Sequence, residues 1–122
     1  MRLADFTTVR LGGPARAFAR AETEDELIDA VRSADAAGEP VLILGGGSNL
    51  VVADEGFDGT VIQVATRGVS RGGSVSRGGS VSRGEGPGQL TAAAGEEWDG
   101  VVARTVAEGL AGLECLSGIP GL

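Results

Sequence analysis

Apolar residues recur at two different spacings along this chain, and the changes of spacing mark its elements. Ala17 to Ala21 reads as a short strand. Leu27, Val31 and Ala34 then fall three or four apart, with Ile28 beside them, while Asp25, Asp29 and Arg32 take the wet side: a helix. Thr23 with Glu26 three residues on is a capping box for its start, and Gly38 marks its end. Val41 to Leu44 is four apolar residues in a row and predicts a buried strand. Strand, helix, strand in this order predicts a parallel βαβ unit with a right-handed crossover.

Val51 and Val52 predict a further short strand, closed by a turn over Asp54 to Gly59. Val61 to Ala65 predicts a fourth strand, and alanine-rich Leu90 to Ala94 a fifth. A second helix is expected to begin near Glu96 and end at Gly109, with Trp98, Val101, Val102 and Val106 on its inner face and Asp99 and Arg104 in solvent. Trp98 is expected to anchor that helix in the core. Cys115, with no basic residue near it in sequence, is expected to be a small buried side chain. Between the fourth and fifth strands, Val69 to Gly84 repeats VSRGGS with one apolar side chain per copy. Such a unit builds no core, so 66–88 reads as a low-complexity insertion, a flexible loop at a hairpin tip.

Composition narrows the chemistry. The 122 residues suffice for one domain, with 42% hydrophobic residues but 22 glycines. A net charge of −7 disfavours nucleic acid or an anionic membrane as partner, and the repeat's arginines lack the aromatics that would stack bases. No run is long and apolar enough for a membrane helix and no signal peptide is visible, so a cytoplasmic location is expected. With one cysteine and no histidine, lysine or tyrosine, an internal disulfide and a Cys-rich metal site are ruled out, and several usual acid–base and nucleophile candidates are missing.

The chemistry-bearing stretch is Val41 to Leu50, VLILGGGSNL, where a strand runs into three glycines followed by a hydroxyl and an amide. Backbone N–H groups without side chains in the way can cradle a phosphate. A Walker A loop is excluded, because the chain has no lysine. A dinucleotide fingerprint starting at Gly45 would place its last glycine at Leu50, and the chain beyond prefers strand to helix. A strand-to-strand anion nest and a plain tight turn both fit GGGSN on its own residues.

Five ordered blocks go further: TTVRLGGPA (Thr7 to Ala15), PVLILGGGSNLVV (Pro40 to Val52), GFDGTVI (Gly56 to Ile62), AAGEEW (Ala93 to Trp98) and GLAGLECLSGIPG (Gly109 to Gly121). Together they resemble the N-terminal part of the UDP-N-acetylenolpyruvoylglucosamine reductases, also called UDP-N-acetylmuramate dehydrogenases, in an actinobacterial form. The resemblance implies an α+β fold, the FAD-binding module of the vanillyl-alcohol-oxidase (PCMH) type, with a βαβ-containing first subdomain and the start of the second. It implies FAD as cofactor, NADPH as electron donor and a UDP-sugar enolpyruvate as substrate, in peptidoglycan precursor synthesis. By the same resemblance Gly45, Gly46, Gly47, Ser48 and Asn49 would hold the FAD pyrophosphate, with Ile43, Leu44 and Leu50 lining the approach. Ser117, Gly118, Ile119, Pro120 and Gly121 would begin a second flavin-contacting segment. Thr8, Arg10 and Gly12 would pack around the site. The family's substrate domain and catalytic serine, arginine and glutamate lie beyond the matched blocks. Residues 1–122 are therefore expected to be a partial FAD-binding domain with no catalytic residue, inactive alone and binding FAD weakly. Two alternatives stay open: another flavin oxidoreductase of the same module, and a non-enzymatic nucleotide- or RNA-binding piece.

Overall fold

The computed structural model describes residues 2–71 and 90–119. Its centre is a three-stranded, fully parallel sheet of β1 (Ala15–Ala21), β2 (Val41–Leu44) and β3 (Phe57–Val64), in the order β1–β3–β2. The central place of β3 follows from its sequence: FDGTVIQV carries apolar residues toward both faces, and Val61 and Ile62 are fully buried. Val61 sits in register with Phe18 and Leu42, and on that face Leu3, Leu44 and Val61 form a cluster with Phe6, Phe18, Leu50, Val52 and Phe57 around it. The Phe6 and Phe18 rings lie 4.8 Å apart, tilted by 31°.

Helix α1 (Glu24–Ala36) packs on all three strands. Its capping box forms as expected: Glu26 N–H donates to Thr23 Oγ1 (3.2 Å), and Glu26 Oε2 accepts from the N–H groups of Thr23 (3.3 Å) and Glu22 (2.7 Å). Thr23→Ala should lower stability by about 1 kcal/mol, measured as a fall in thermal midpoint with no change in far-UV spectrum.

β1 and β2 share a parallel sheet, as expected of a βαβ unit, with β3, later in sequence, inserted between them. Several other expectations need correction. β2 is consequently an edge strand rather than a buried one: Leu44 is buried, but Ile43 is 52% exposed. Val51 and Val52 form no strand; Val51 projects into solvent while Val52 packs in the cluster and against Gly12. The turn is confined to Asp54–Gly56, and Gly59 lies inside β3, where a Cβ would collide with the Pro40 carbonyl. A 3₁₀ turn at Leu3–Phe6, unforeseen, carries fully buried Leu3 into the core.

The first copy of the repeat contributes β4 (Val69–Arg71), antiparallel to β5 (Leu90–Ala92), which is two residues shorter than expected. The remainder of the repeat lies outside the described residues. Helix α2 (Trp98–Ala107) starts two residues later than Glu96. Its inner face is Trp98, Val101, Val102 and Thr105, an i, i+3, i+4, i+7 pattern that leaves Val106 55% exposed. Thr105 is tolerated there because its Oγ1 donates to the Val102 carbonyl (2.7 Å). Trp98 is half-buried, and Cys115 is exposed in the 3₁₀ turn Glu114–Leu116 rather than buried. No helix among the described residues is long and apolar enough to cross a membrane.

Candidate functional site

Three parallel strands end together, so Ala21, Leu44 and Val64 lie at one edge of the sheet, the edge where open parallel sheets take their ligands. The loop Gly45–Asn49 leaves β2 at that edge. Gly47 has φ +69°, in the left-handed region, and a Cβ there would overlap the Phe6 carbonyl oxygen. The Gly47 carbonyl in turn accepts from Thr8 N–H at 3.0 Å. The glycine loop and the N-terminal block are thus locked together back to back, which places Thr7, Thr8 and Arg10 beside Gly45 and Gly46.

Between them opens a cleft of about 470 Å³, bounded also by Asp5, Phe6 and Gln63. Among the described residues, the N–H groups of Gly46, Gly47, Ser48 and Asn49 donate to no protein carbonyl, and the Ser48 and Asn49 side chains have no hydrogen-bond partner. Arg10 has φ +57°, unusual for a residue with a side chain, and its N–H is held by Thr7 Oγ1 at 3.0 Å. Its guanidinium forms no ion pair among the described residues. Of the loop, Gly45 and Gly46 line this cleft, while Gly47, Ser48 and Asn49 follow just beyond its lining. Bare backbone at Gly45 and Gly46, the threonine hydroxyls, the Gln63 amide and the Arg10 guanidinium form a donor set suited to a phosphate group, with the Asp5 carboxylate beside it.

The other anticipated residues are placed differently. Leu44 points into the core, Leu50 joins the apolar cluster, and Ile43 faces solvent on the edge strand; none of the three borders the cleft. Ser117, Gly118 and Ile119 do not border it either, and Leu116, Ser117 and Gly118 are tied to α2: Trp98 Nε1–H donates to the Leu116 carbonyl (2.7 Å), and Asp99 Oδ1 accepts from Ser117 Oγ–H (3.0 Å) and Gly118 N–H (2.7 Å). Asp99 is exposed as expected, yet it is engaged rather than free. Pro120 and Gly121 lie outside the described residues. Just before this segment, Glu114 accepts from Gly112 N–H at 2.7 Å. Its own backbone N–H and that of Gly112 hold its carboxyl below the usual range. Asp5, Phe6 and Gln63 are cleft residues that sequence reading passed over; the signal for Gln63 is a lone amide in the apolar run VIQV. No group of acidic, cysteine or histidine side chains among the described residues could hold a metal ion.

Comparison with known proteins gives a consistent result. The FAD binding domain family matches residues 15–122. The chain is 64% identical over 120 residues to the UDP-N-acetylenolpyruvoylglucosamine reductase of Saccharopolyspora erythraea, covering 98% of this chain and 30% of that protein. It is 53% identical over 121 residues to the reductase of the same name from Nocardia farcinica, covering 99% and 28%. Among solved structures, UDP-N-acetylenolpyruvylglucosamine reductase from Thermus caldophilus superposes with a TM-score of 0.66 at 31% identity, over 99% of this chain and 37% of that one. The chain thus spans about 30% of the length of the curated relatives it matches.

Proposed function

This chain belongs to the FAD binding domain family, and from that premise we propose that residues 45–49 cradle the FAD pyrophosphate in a UDP-N-acetylenolpyruvoylglucosamine reductase. FAD is the cofactor of the domain. The observation that carries the assignment of the loop is the row of unspent N–H groups from Gly46 to Asn49 at the carboxyl edge of a parallel sheet, with Gly45 and Gly46 lining one cleft with Arg10. A diphosphate needs several donors at close range and no bulky side chain between them, which is what a glycine loop buttressed from behind by Phe6 and Thr8 offers.

Bound FAD would supply hydride transfer; the residues of this chain bind and orient it. Gly45 and Gly46 open the backbone, Ser48 and Asn49 add side-chain donors, and Arg10 adds a positive charge at the cleft of an otherwise net acidic chain. Reduction by NADPH, a UDP-sugar enolpyruvate as acceptor and a cytoplasmic setting belong to the same proposal. The names of relatives at 52–64% identity support the UDP-sugar enolpyruvate as the group reduced. Those identities favour this reading over another flavin oxidoreductase of the same module. Residues 1–122 are proposed to be one partial FAD-binding domain within it.

The test is a flavin fluorescence titration of the chain. FAD should bind roughly tenfold or more tightly than riboflavin, which lacks the phosphates, and rising salt should narrow the gap. Arg10→Gln should weaken FAD by about three- to tenfold and leave riboflavin unchanged. Equal affinity for the two flavins would remove the pyrophosphate assignment.

A further inference from the structure

We propose that Trp98 and Asp99, at the start of α2, are positioning residues for the flavin ring, acting through the segment Leu116–Gly118. The inference rests on the reading of Ser117–Ile119 as a flavin-contacting segment, and it adds what sets that segment's geometry.

The segment is not held by burial. The turn Glu114–Leu116 has no buried residue, Leu116 and Ile119 are 39% and 46% exposed, and Ser117 and Gly118 lie open to solvent. Residues with so little apolar contact keep one conformation only through directional bonds. Two adjacent helical residues supply three of them. Trp98 Nε1–H fixes the carbonyl of Leu116, and the single atom Asp99 Oδ1 fixes both the hydroxyl of Ser117 and the N–H of Gly118. Residues 116, 117 and 118 are each held once, from a helix that is itself anchored by buried Val101, Val102 and Thr105.

The arrangement also has chemical content. Ser117 Oγ spends its one hydrogen on Asp99, so only its lone pairs remain for a ligand. It can accept but not donate, which suits an imide-type ring N–H of the kind a flavin carries. Asp99 thereby sets the polarity of Ser117 as well as its position.

The experiment compares FAD with ADP, which shares the pyrophosphate and lacks the flavin ring. In the chain, Asp99→Ala should weaken FAD by about tenfold, leave ADP binding unchanged and alter the visible absorption envelope of bound FAD. Asp99→Asn keeps an acceptor oxygen and should recover most of the FAD affinity. Trp98→Phe should weaken FAD less, and its effect should not add to that of Asp99→Ala, because both act on one segment. Unchanged FAD affinity in Asp99→Ala, or equal losses for FAD and ADP, would overturn the proposal. FAD binding no tighter than ADP in the parent chain would instead remove the flavin reading of Ser117–Ile119 beneath it. Binding of neither ligand would remove the loop assignment.

Discussion

Gly47→Ala should destabilise the fold by about 3 kcal/mol and reduce FAD affinity by roughly two orders of magnitude. Two costs combine. At φ +69° an alanine pays about 1–2 kcal/mol for a left-handed backbone. Its methyl group would also occupy the position of the Phe6 carbonyl oxygen, so the N-terminal turn has to move away and the bond from Thr8 N–H to the Gly47 carbonyl is lost. Gly38→Ala is the control: it has a similar φ of +67° with open space around it, and should pay the backbone term alone. Urea titration of both variants reads the difference, and FAD titration shows whether the cradle goes with it. Equal destabilisation of the two variants would mean that the contact with Phe6 does not buttress the loop.

Leu3→Ala should cost about 3–4 kcal/mol, an unusual penalty for a residue at a chain's beginning. Leu3 is fully buried and belongs to the same cluster as Leu44 and Val61, so truncation leaves a cavity under the sheet. The turn it anchors carries Thr7, Thr8 and Arg10, and loosening it should weaken FAD as well as the fold. Val9→Ala serves for comparison: Val9 is 46% exposed and should change stability by no more than about 0.5 kcal/mol. A Leu3 variant as stable as the parent in urea would place the N-terminal block outside the cooperative unit.

What sequence reveals here divides by range. The capping box of α1 was legible because all its partners lie within four residues of one another. The glycine loop was legible as a strand running into bare backbone because four apolar residues followed by three glycines are a local feature. β3 was read short because Gly59 resembles a turn residue, whereas its small size answers to Pro40 on a neighbouring segment. Val51 and Val52 favour strand by type, but Val52 packs into the apolar cluster instead, and packing overrode propensity. The ties from Trp98 and Asp99 join residues 18 and 19 positions apart on an exposed surface, so neither periodicity nor burial signals them. Arg10 was placed around the site by the family resemblance alone, because its position in the cleft depends on how the N-terminal block folds back.

The strand order β1–β3–β2 has a consequence for how the chain is made. Both outer strands precede the inner one, so every strand pair in the sheet waits for residues 57–64. Closing β1 onto β3 spans some forty residues, a long loop whose entropy must be met before any ladder bond compensates. During synthesis, a nascent chain shorter than this has a capped helix but no sheet, with two apolar strands lacking their partner. Chaperone capture of ribosome-bound nascent chains should therefore fall sharply once Val64 clears the exit tunnel.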